Sequence, residues 1–394
     1  MITSAIALFD WIIIGLGVYF FCLSVSNALW FARESRPAEL TDGPPVSVLI
    51  PARDEEAHIE QCIQSFMNQT YTNYEVLVLD DNSTDKTGEI LDRLQALYPD
   101  KLKIFKGAPL PPDWRGKPFA MKQLCKQAKG KYWLFTDADT VHSSRSISVA
   151  VTNIVYHNAD FLSGYITQKM KTFGEKITIP LLYLLSGFCL PLWMCKLSKF
   201  PGFAVAIGQY ICVKSDSFME CGGFDLVKDK TTEDVFMART MRRHGHKTVF
   251  LNLRDAASCR MYTSWQSAVN GISKNIFDFI DKNHIILALA VVGIFIFLAL
   301  PPFLTVGLTA YTIIGAKTVS FTLIALWINL ILVGGTWTVL FKSQIIDKII
   351  YIYIYISFVV YQFVIHRACF MDSFRKKAGV PMERTNGILI LQRV

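Results

Sequence analysis

The stretch Lys131–Thr140, Lys-Tyr-Trp-Leu-Phe-Thr-Asp-Ala-Asp-Thr, decides how the rest of the chain is interpreted. Its apolar and aromatic run, Tyr132–Phe135, is typical of a buried strand. Asp137 and Asp139 follow, and side chains two apart on an extended segment point to one side. Converging carboxylates repel each other unless a cation lies between them, and their oxygens suit a hard divalent cation. A polar turn after a strand has the same composition, so this stretch alone leaves both interpretations open.

The composition predicts a globular domain joined to membrane segments. Of 394 residues, 52% are hydrophobic and 18% are charged, and the mean hydropathy is +0.33. These values are too apolar for an ordinary soluble domain and too charged for a chain that lies wholly in a membrane. The net charge of +8 suits a phosphate-bearing ligand or an anionic membrane surface. No basic stripe interleaved with aromatic residues occurs, so we expect no nucleic-acid partner.

The N-terminal segment Ala5–Phe31 is almost wholly apolar and is long enough to cross a bilayer. It is too long for a signal-peptide core and no basic residue precedes it, so we predict an uncleaved anchor over residues 1–32. Arg33 and Arg36 follow directly, which places the next part of the chain on the cytoplasmic side. Residues 33–45 form a polar linker to the globular domain.

Strand-like runs and helix-length segments alternate after the linker, with apolar residues at helical spacing between the runs. The first three runs are Val46–Ile50, Tyr74–Leu79 and Leu102–Phe105. This alternation predicts an α/β domain with a mostly parallel sheet and helices on both faces. Ligands bind such sheets outside the carboxyl ends of the strands. The side chains expected there are Arg53, Asp80, Asp81, Asp137 and Asp139.

The second half of the predicted domain, which extends over residues 46–283, is less regular. The segment Ile179–Leu197 is apolar but interrupted by prolines, and we expect it to lie in the membrane interface or to pack on the domain. A transmembrane helix is the alternative for that segment. Phe203–Val213 is predicted to be a strand. Thr231–Asp234 is predicted to open a helix that ends near Gly245.

Residues 284–366 are nearly all apolar and are predicted to be C-terminal transmembrane helices. The candidates are His284–Gly315 as a helical hairpin, Ser320–Phe341 and Ile349–His366. The basic tail, residues 367–394, should be cytoplasmic, which requires an even number of crossings after the domain, and four is preferred. We therefore expect a multi-pass protein of the cytoplasmic membrane whose globular domain faces the cytoplasm.

Six motifs in this chain resemble those of family 2 glycosyltransferases, in that family's order and at its approximate spacing. They are Val46–Glu56, Leu77–Asp85, Gly116-Lys117, Thr136–Thr140, Gly222–Asp225 and Glu233-Asp234. A single motif of this kind is common by chance, whereas six in order are specific. The resemblance covers roughly residues 46–275 and implies the GT-A fold, a Rossmann-like domain that binds nucleotide sugars.

The resemblance also implies a donor site and a divalent metal, Mg²⁺ or Mn²⁺. A cation on Asp137 and Asp139 would bridge the donor diphosphate and stabilise the charge that grows as the glycosidic bond breaks. Lys117 would offer a positive charge to the phosphates or the sugar, and a solvated lysine at a helix start is the alternative. Carboxylates suit the donor groups of a base and a ribose. The residues expected to hold the nucleoside are Pro51, Ala52, Arg53, Glu55, Asp80 and Asp81.

Asp234 is the candidate general base of an inverting transfer. It would take the proton of the acceptor hydroxyl as that hydroxyl attacks the anomeric carbon, with Glu233 supporting the site. The structural alternative is that Thr232 caps a helix whose first turn carries both acids, which is favourable capping and dipole chemistry. The two interpretations are compatible.

A missing motif bears on the acceptor. Processive members of this family carry Gln-x-x-Arg-Trp after the base, and no Arg-Trp pair occurs in this sequence. The chain instead resembles the branch that glycosylates membrane lipids, including carotenoid- and hopanoid-associated transferases. The resemblance therefore implies a hexosyltransferase that moves one sugar from a nucleotide sugar, foremost a UDP-sugar, to a hydrophobic lipid acceptor. A processive polysaccharide synthase and a non-catalytic membrane scaffold with a degenerate GT-A domain are the alternatives.

Overall fold

The computed structural model describes residues 2–180, 187, 190–230, 232–279, 300–314 and 321–344, with residues 283, 285, 288, 289, 292, 293 and 296. The chain forms two compact units. Unit 1 comprises Met1–Leu29, Met170–Leu190 and Tyr262–Val394, and unit 2 comprises Trp30–Lys169 and Pro191–Met261. The predicted span Ile349–His366 and the predicted tail lie outside the described residues, as does part of Ile179–Leu197.

The described elements follow the predicted alternation closely over the first half of unit 2. The helices are α1 (Ile2–Glu34), α2 (Ile59–Met67), α3 (Thr87–Leu97), α4 (Gly116–Cys125), α5 (Ser146–Tyr156), α6 (Phe173–Thr178), α7 (Met194–Leu197), α8 (Ser215–Glu220), α9 (Glu233–Arg243), α10 (Trp265–Phe279), α11 (Leu300–Ile314) and α12 (Phe321–Gln344). The strands are β1 (Val46–Ala52), β2 (Tyr74–Asp80), β3 (Leu102–Lys106), β4 (Tyr132–Phe135), β5 (Thr140–His142), β6 (Phe161–Tyr165), β7 (Thr167–Gln168), β8 (Ile211–Lys214), β9 (Thr248–Asn252) and β10 (Ala257–Cys259).

The main sheet of unit 2 has seven strands among the described residues, in the order β3-β2-β1-β4-β8-β6-β9. Strand β8 runs antiparallel to its neighbours β4 and β6, and the other pairs are parallel. The predicted α/β fold with a mostly parallel sheet is thus confirmed. In the register of β1 and β2, Ala52 lies opposite Asp80, so the residues that follow both strands emerge at the same edge.

Both faces of this sheet are covered, which explains why its strands read as continuous apolar runs. Val48 and Ile50 of β1 pack into a core with Phe66 of α2. Leu49, between them, points to the other face and joins a second core with Leu124 of α4. Alternate side chains of one strand therefore enter different cores, and Pro51 is the one position of β1 that is partly exposed.

The predicted strand Phe203–Val213 is wrong over most of its length. The chain forms a 3-10 turn at Pro201–Phe203 and a loop at 204–210 before β8 begins at Ile211. Ala204 and Tyr210 are buried although they lie in that loop. Apolar composition cannot separate a buried loop from a buried strand, which is the source of the error.

In unit 1, the first part of α1 packs against α12 through polar contacts between apolar helices. The side-chain amide of Asn329 donates to the carbonyl oxygen of Ile13 (2.9 Å), and the hydroxyl of Thr322 donates to Asp10 (3.0 Å). Within the described residues, Ile6–Glu34 is the one helical segment that is long and apolar enough to cross a membrane, with a mean hydropathy of 2.2. The C-terminal crossings stay a prediction.

Candidate active site

The loops after β1 and β2 bring the predicted nucleoside residues together. The backbone N–H of Asp81 donates to the carbonyl oxygen of Ala52 (2.8 Å), which joins the ends of the two strands. Arg53 Nη1 then lies 3.9 Å from Asp81 Oδ2. Pro51 and Ala52 are the last residues of β1, so they lie at the carboxyl edge of the sheet, where a ligand would bind.

The adjacent acids Asp80 and Asp81 have different environments. Asp80 accepts hydrogen bonds from Lys106 Nζ (2.6 Å) and from the backbone N–H of Ser83 (3.0 Å). Burial alone would raise the pKa of Asp80, but these donors outweigh it and lower that pKa. Burial raises the pKa of Asp81 against the opposing charge of Arg53. Asp80 is therefore committed to internal contacts, and Asp81 is the better acceptor for a ligand.

The loop that follows Arg53 is fixed by hydrogen bonds to the loop after β2. Asp54 has a φ of 53°, a left-handed conformation in which Asp and Asn are enriched. Its Oδ1 accepts from the backbone N–H of Thr84 (2.8 Å). The backbone N–H of Glu55 donates to the hydroxyl of Thr87 (2.8 Å). Asp54 is thus a positioning residue of this loop.

The two acids of the central stretch lie in the turn between β4 and β5 instead of on an extension of the strand. Burial raises the pKa of Asp139 to about 7, and the charges of Asp137 and Glu55 act in the same direction. The thiol of Cys259 donates a hydrogen bond to Asp139. Carboxylates under mutual repulsion fit a divalent cation, which would relieve that repulsion.

The chain offers few preformed ligands beyond this pair. In the part of the chain that the structure describes, no group of three or more His, Cys, Asp or Glu side chains is arranged to hold a metal ion. Asp137 and Asp139 are the two side chains of this turn that would hold a divalent cation.

Lys117 connects the acidic turn to the predicted base. Its Nζ lies 2.6 Å from Asp137 Oδ1 and 3.1 Å from Glu233 Oε1. Burial would lower the pKa of Lys117, but the carboxylates of Asp137, Glu233 and Asp234 outweigh it and raise that pKa. About a third of the side chain is exposed (32%). Lys117 is thus a fixed ammonium inside an acidic cluster, which is a different environment from that of a solvated helix-start lysine.

Asp234 is held by two backbone donors. Its Oδ2 accepts from the N–H of Gly208 (2.8 Å), and its Oδ1 accepts from the N–H of Val235 (2.8 Å). Burial raises the pKa of Asp234 to about 7; the charge of Glu233 adds to this shift, and Lys117 opposes it. A carboxyl group with such a pKa can accept a proton near neutral pH.

The structure separates the two parts of the capping alternative for α9. Thr232 occupies the N-cap position, but its hydroxyl makes no capping bond and has no hydrogen-bond partner among the described residues. Glu233 and Asp234 do lie in the first turn of α9, where the helix dipole favours negative charge. They also contact Lys117 and Gly208, so the dipole interpretation and the site interpretation stay compatible.

Gly208 is a site residue that the sequence-based prediction missed. A Cβ at this position would lie 3.3 Å from Lys117 Nζ and 3.5 Å from Asp234 Oδ2, so the backbone passes close to both charged groups. A glycine inside an apolar run was the available signal, because such glycines often mark a close approach of the backbone.

The seven-stranded, mostly parallel sheet of unit 2 has a GT-A-like α/β fold. A solved structure of this class, the mannosyltransferase PcManGT from Pyrobaculum calidifontis in complex with GDP-Man and Mn²⁺, is similar to this chain with a TM-score of 0.52. The match has 18% sequence identity and covers 93% of this chain and 99% of that one. At this identity the similarity establishes the fold alone.

Residues 47–189 match the glycosyl transferase family 2 model, so the chain carries a family 2 glycosyltransferase domain. The probable glycosyltransferase YdaM of Bacillus subtilis is 26% identical over 187 residues, which is 46% of this chain and 43% of that protein. The beta-monoglucosyldiacylglycerol synthase of a Nostoc species is 40% identical over 98 residues, or 24% of this chain and 20% of that protein. The matches thus span less than half the length of these relatives.

Proposed function

We propose that this protein is a membrane-associated, inverting glycosyltransferase that moves one sugar from a nucleotide sugar to a hydrophobic lipid acceptor. The observation that carries the proposal is the cluster of Lys117, Asp137, Glu233 and Asp234 at the carboxyl edge of the sheet. In this cluster the ammonium of Lys117 lies between the acidic turn of Asp137 and the carboxyl group of Asp234, whose pKa is about 7. A binding scaffold has no need for four charged groups gathered in one partly buried cluster.

The donor is a nucleotide sugar, with a UDP-sugar as the first candidate. Asp81, Arg53 and the last residues of β1, Pro51 and Ala52, would hold the nucleoside. Lys117 would orient the phosphates, since its ammonium lies at the start of α4 and is kept charged by its acidic neighbours. Glu55 lies close enough to Asp139 for its charge to raise the pKa of Asp139, and it would lie next to the bound donor.

Asp137 and Asp139 would hold the divalent cation, Mg²⁺ or Mn²⁺. When bound, such a cation supplies Lewis-acid stabilisation of the diphosphate leaving group. The protein's own part is to keep both carboxylates on one turn, where burial and the hydrogen bond from Cys259 orient Asp139.

Asp234 would remove the proton from the attacking hydroxyl of the acceptor. Its two oxygens are oriented by the N–H groups of Gly208 and Val235, so that the carboxylate keeps a fixed direction. Burial, assisted by the negative charge of Glu233, keeps the pKa of Asp234 near the working pH, where a general base is most effective. Inversion follows from a direct displacement in which the hydroxyl attacks opposite the leaving diphosphate.

A lipid acceptor is supported by the apolar N-terminal helix and by the relatives. The segment Ile6–Glu34 would anchor the catalytic unit at a membrane surface, where a lipid hydroxyl is within reach. One relative is named beta-monoglucosyldiacylglycerol synthase, a name that describes the synthesis of a glucosylated diacylglycerol. The proposal includes the multi-pass arrangement, with residues 284–366 as further spans and residues 46–283 as a catalytic domain on the cytoplasmic side.

A panel of radiolabelled nucleotide sugars tests the proposal on membranes that contain the full chain. Label would be measured in solvent-extractable, water-soluble and high-polymer fractions, for the wild type and for Asp139→Ala. The matched control is Asp255→Ala, because Asp255 is an aspartate of the same unit whose side chain is 89% exposed. We expect extractable label that is lost in Asp139→Ala and kept in Asp255→Ala.

Two other results would contradict the proposal. Label in the high-polymer fraction would indicate a processive polysaccharide synthase in place of single transfer. Incorporation that does not depend on Asp139 with any donor would favour the non-catalytic scaffold.

A further inference from the structure

Unit 2 presents an exposed apolar tip formed by the end of α7 and the turn that follows it, Lys196–Phe203. Leu197 and Phe200 are each 65% exposed. The ring of Phe203 lies 5.9 Å from the ring of Phe200 in an edge-on arrangement. Single exposed apolar residues are common on soluble proteins, but large neighbouring ones mark a surface that contacts something else.

The tip is held in this conformation by a buried arginine. Arg242 of α9 is 5% exposed, and its Nη1 donates to the carbonyl oxygens of Met194 (3.3 Å) and Ser198. Its Nη2 donates to the carbonyl oxygen of Thr248 on β9 (3.2 Å). A four-residue helix is too short to be stable alone, so the guanidinium fixes the segment against the edge of the sheet.

The position of the Phe200 ring is also determined by the local backbone. A Cβ at Gly202 would come within 2.4 Å of that ring, so the aromatic side chain packs closely against the glycine backbone. The outward direction of Phe200 is therefore a property of the folded turn, and it is available to a partner without rearrangement.

Lys196 of the tip contacts the last turns of α1, and further basic residues of these two segments are exposed. Lys196 Nζ lies 3.0 Å from Glu34 Oε2 and 5.6 Å from the ring centre of Trp30. Lys199 is exposed, and Arg33 is exposed in the last turn of α1. The tip thus lies where the apolar segment Ile6–Glu34 ends.

We propose that the tip Lys196–Phe203 is a second membrane contact whose partner is an anionic lipid surface. Leu197 and Phe200 enter the boundary between headgroups and acyl chains, while the exposed Lys199 and Arg33 attract the negative headgroups. Exposed apolar side chains next to a lysine match this interface, because the lysine stem lies along apolar surface and its ammonium group stays in water. This contact is additional to the anchor of the proposed function and would fix the distance of unit 2 from the bilayer.

Site-specific photocross-linking tests the proposal with the full chain in lipid nanodiscs. The photoreactive residue p-benzoylphenylalanine replaces Phe200 in one protein, Leu197 in a second and Leu97 in a control. Leu97 is 61% exposed on α3, which packs on β3 at the opposite edge of the sheet from β9. We expect at least fivefold more lipid adduct at 200 and 197 than at 97, and equal yields would overturn the proposal.

The identity of the partner is tested by the lipid composition and by charge reversal. Discs of phosphatidylglycerol should give more adduct at position 200 than discs of phosphatidylcholine, and Lys199→Glu should remove the difference. Equal yields in the two lipids would overturn the anionic-surface assignment, and adducts joining two protein copies would replace the membrane by a self-association surface. None of these readouts depends on sugar transfer, so their failure and a failure of the proposed function are distinguishable.

Discussion

Individual residues in this site differ in ways that the sequence does not show. Asp80 and Asp81 are neighbours, yet Lys106 neutralises the first and leaves the second facing Arg53. The motifs placed the acids at the correct edge of the sheet, because strand ends and their loops are local features. The partner of each acid comes from a distant part of the chain, as Gly208 does for Asp234, and short motifs carry no information about it.

Glu233→Gln should shift the pH dependence of transfer to lower pH. Asp234 must be deprotonated to act as a base, so turnover falls as the pH drops through its pKa of about 7. The charge of Glu233 raises that pKa, and its removal should lower it and let Lys117 act more strongly on Asp234. The measurement is kcat against pH at saturating donor, and an acidic limb that stays in place or rises would contradict the assigned coupling.

The elements of the first half of unit 2 were predictable because their patterns are strong. Strands β1 to β4 were predicted within two residues of their observed bounds, since each is a buried apolar run with turn residues at its ends. Loop 204–210 was mistaken for a strand because it is buried and apolar without being extended. Strand β9 and its neighbours pair with segments far away in the sequence, and this pairing has no local signature.

Gly164→Ala should destabilise unit 2 through the pairing of β6 with β9. A Cβ at Gly164 would lie 2.1 Å from the carbonyl oxygen of Leu251, which is backbone and cannot move aside. Overpacking of this kind costs about 1–3 kcal/mol. Gly88→Ala, in α3, is the control. A Cβ at Gly88 would lie 3.4 Å from the side-chain atoms Asp80 Oδ2 and Lys106 Nζ, which is an ordinary contact distance. Thermal unfolding compares the two, and equal melting temperatures would contradict the tight approach.

The whole molecule combines a family 2 glycosyltransferase domain with a long apolar helix, Ile6–Glu34. The family 2 glycosyltransferase domain matches over residues 47–189, and the relatives match over less than half of their lengths, so transfer to a lipid is a proposal for this chain. The long apolar N-terminal helix was predictable from composition, since Ile6–Glu34 is continuous and apolar, and its role as a membrane anchor stays a prediction. The C-terminal segments are predicted by composition as well, and their crossings have no support from the described residues.

The full chain should stay in the membrane pellet after extraction at alkaline pH. This treatment releases proteins that are bound by charge alone, whereas a spanning apolar helix is retained by the cost of moving its side chains into water. Immunodetection in pellet and supernatant after carbonate washing is the measurement. Release of the protein into the supernatant would show that Ile6–Glu34 does not cross the bilayer.

Asp234→Asn tests whether Asp234 is the base of the proposed sugar transfer. The amide keeps the size of the side chain and one acceptor for the N–H of Gly208, but it cannot take a proton. The measurement is donor affinity by calorimetry together with the single-turnover rate on the purified protein. We predict donor binding within about threefold of the wild type and a rate lowered by roughly 10²–10⁴-fold. A rate close to that of the wild type would contradict the assignment of Asp234.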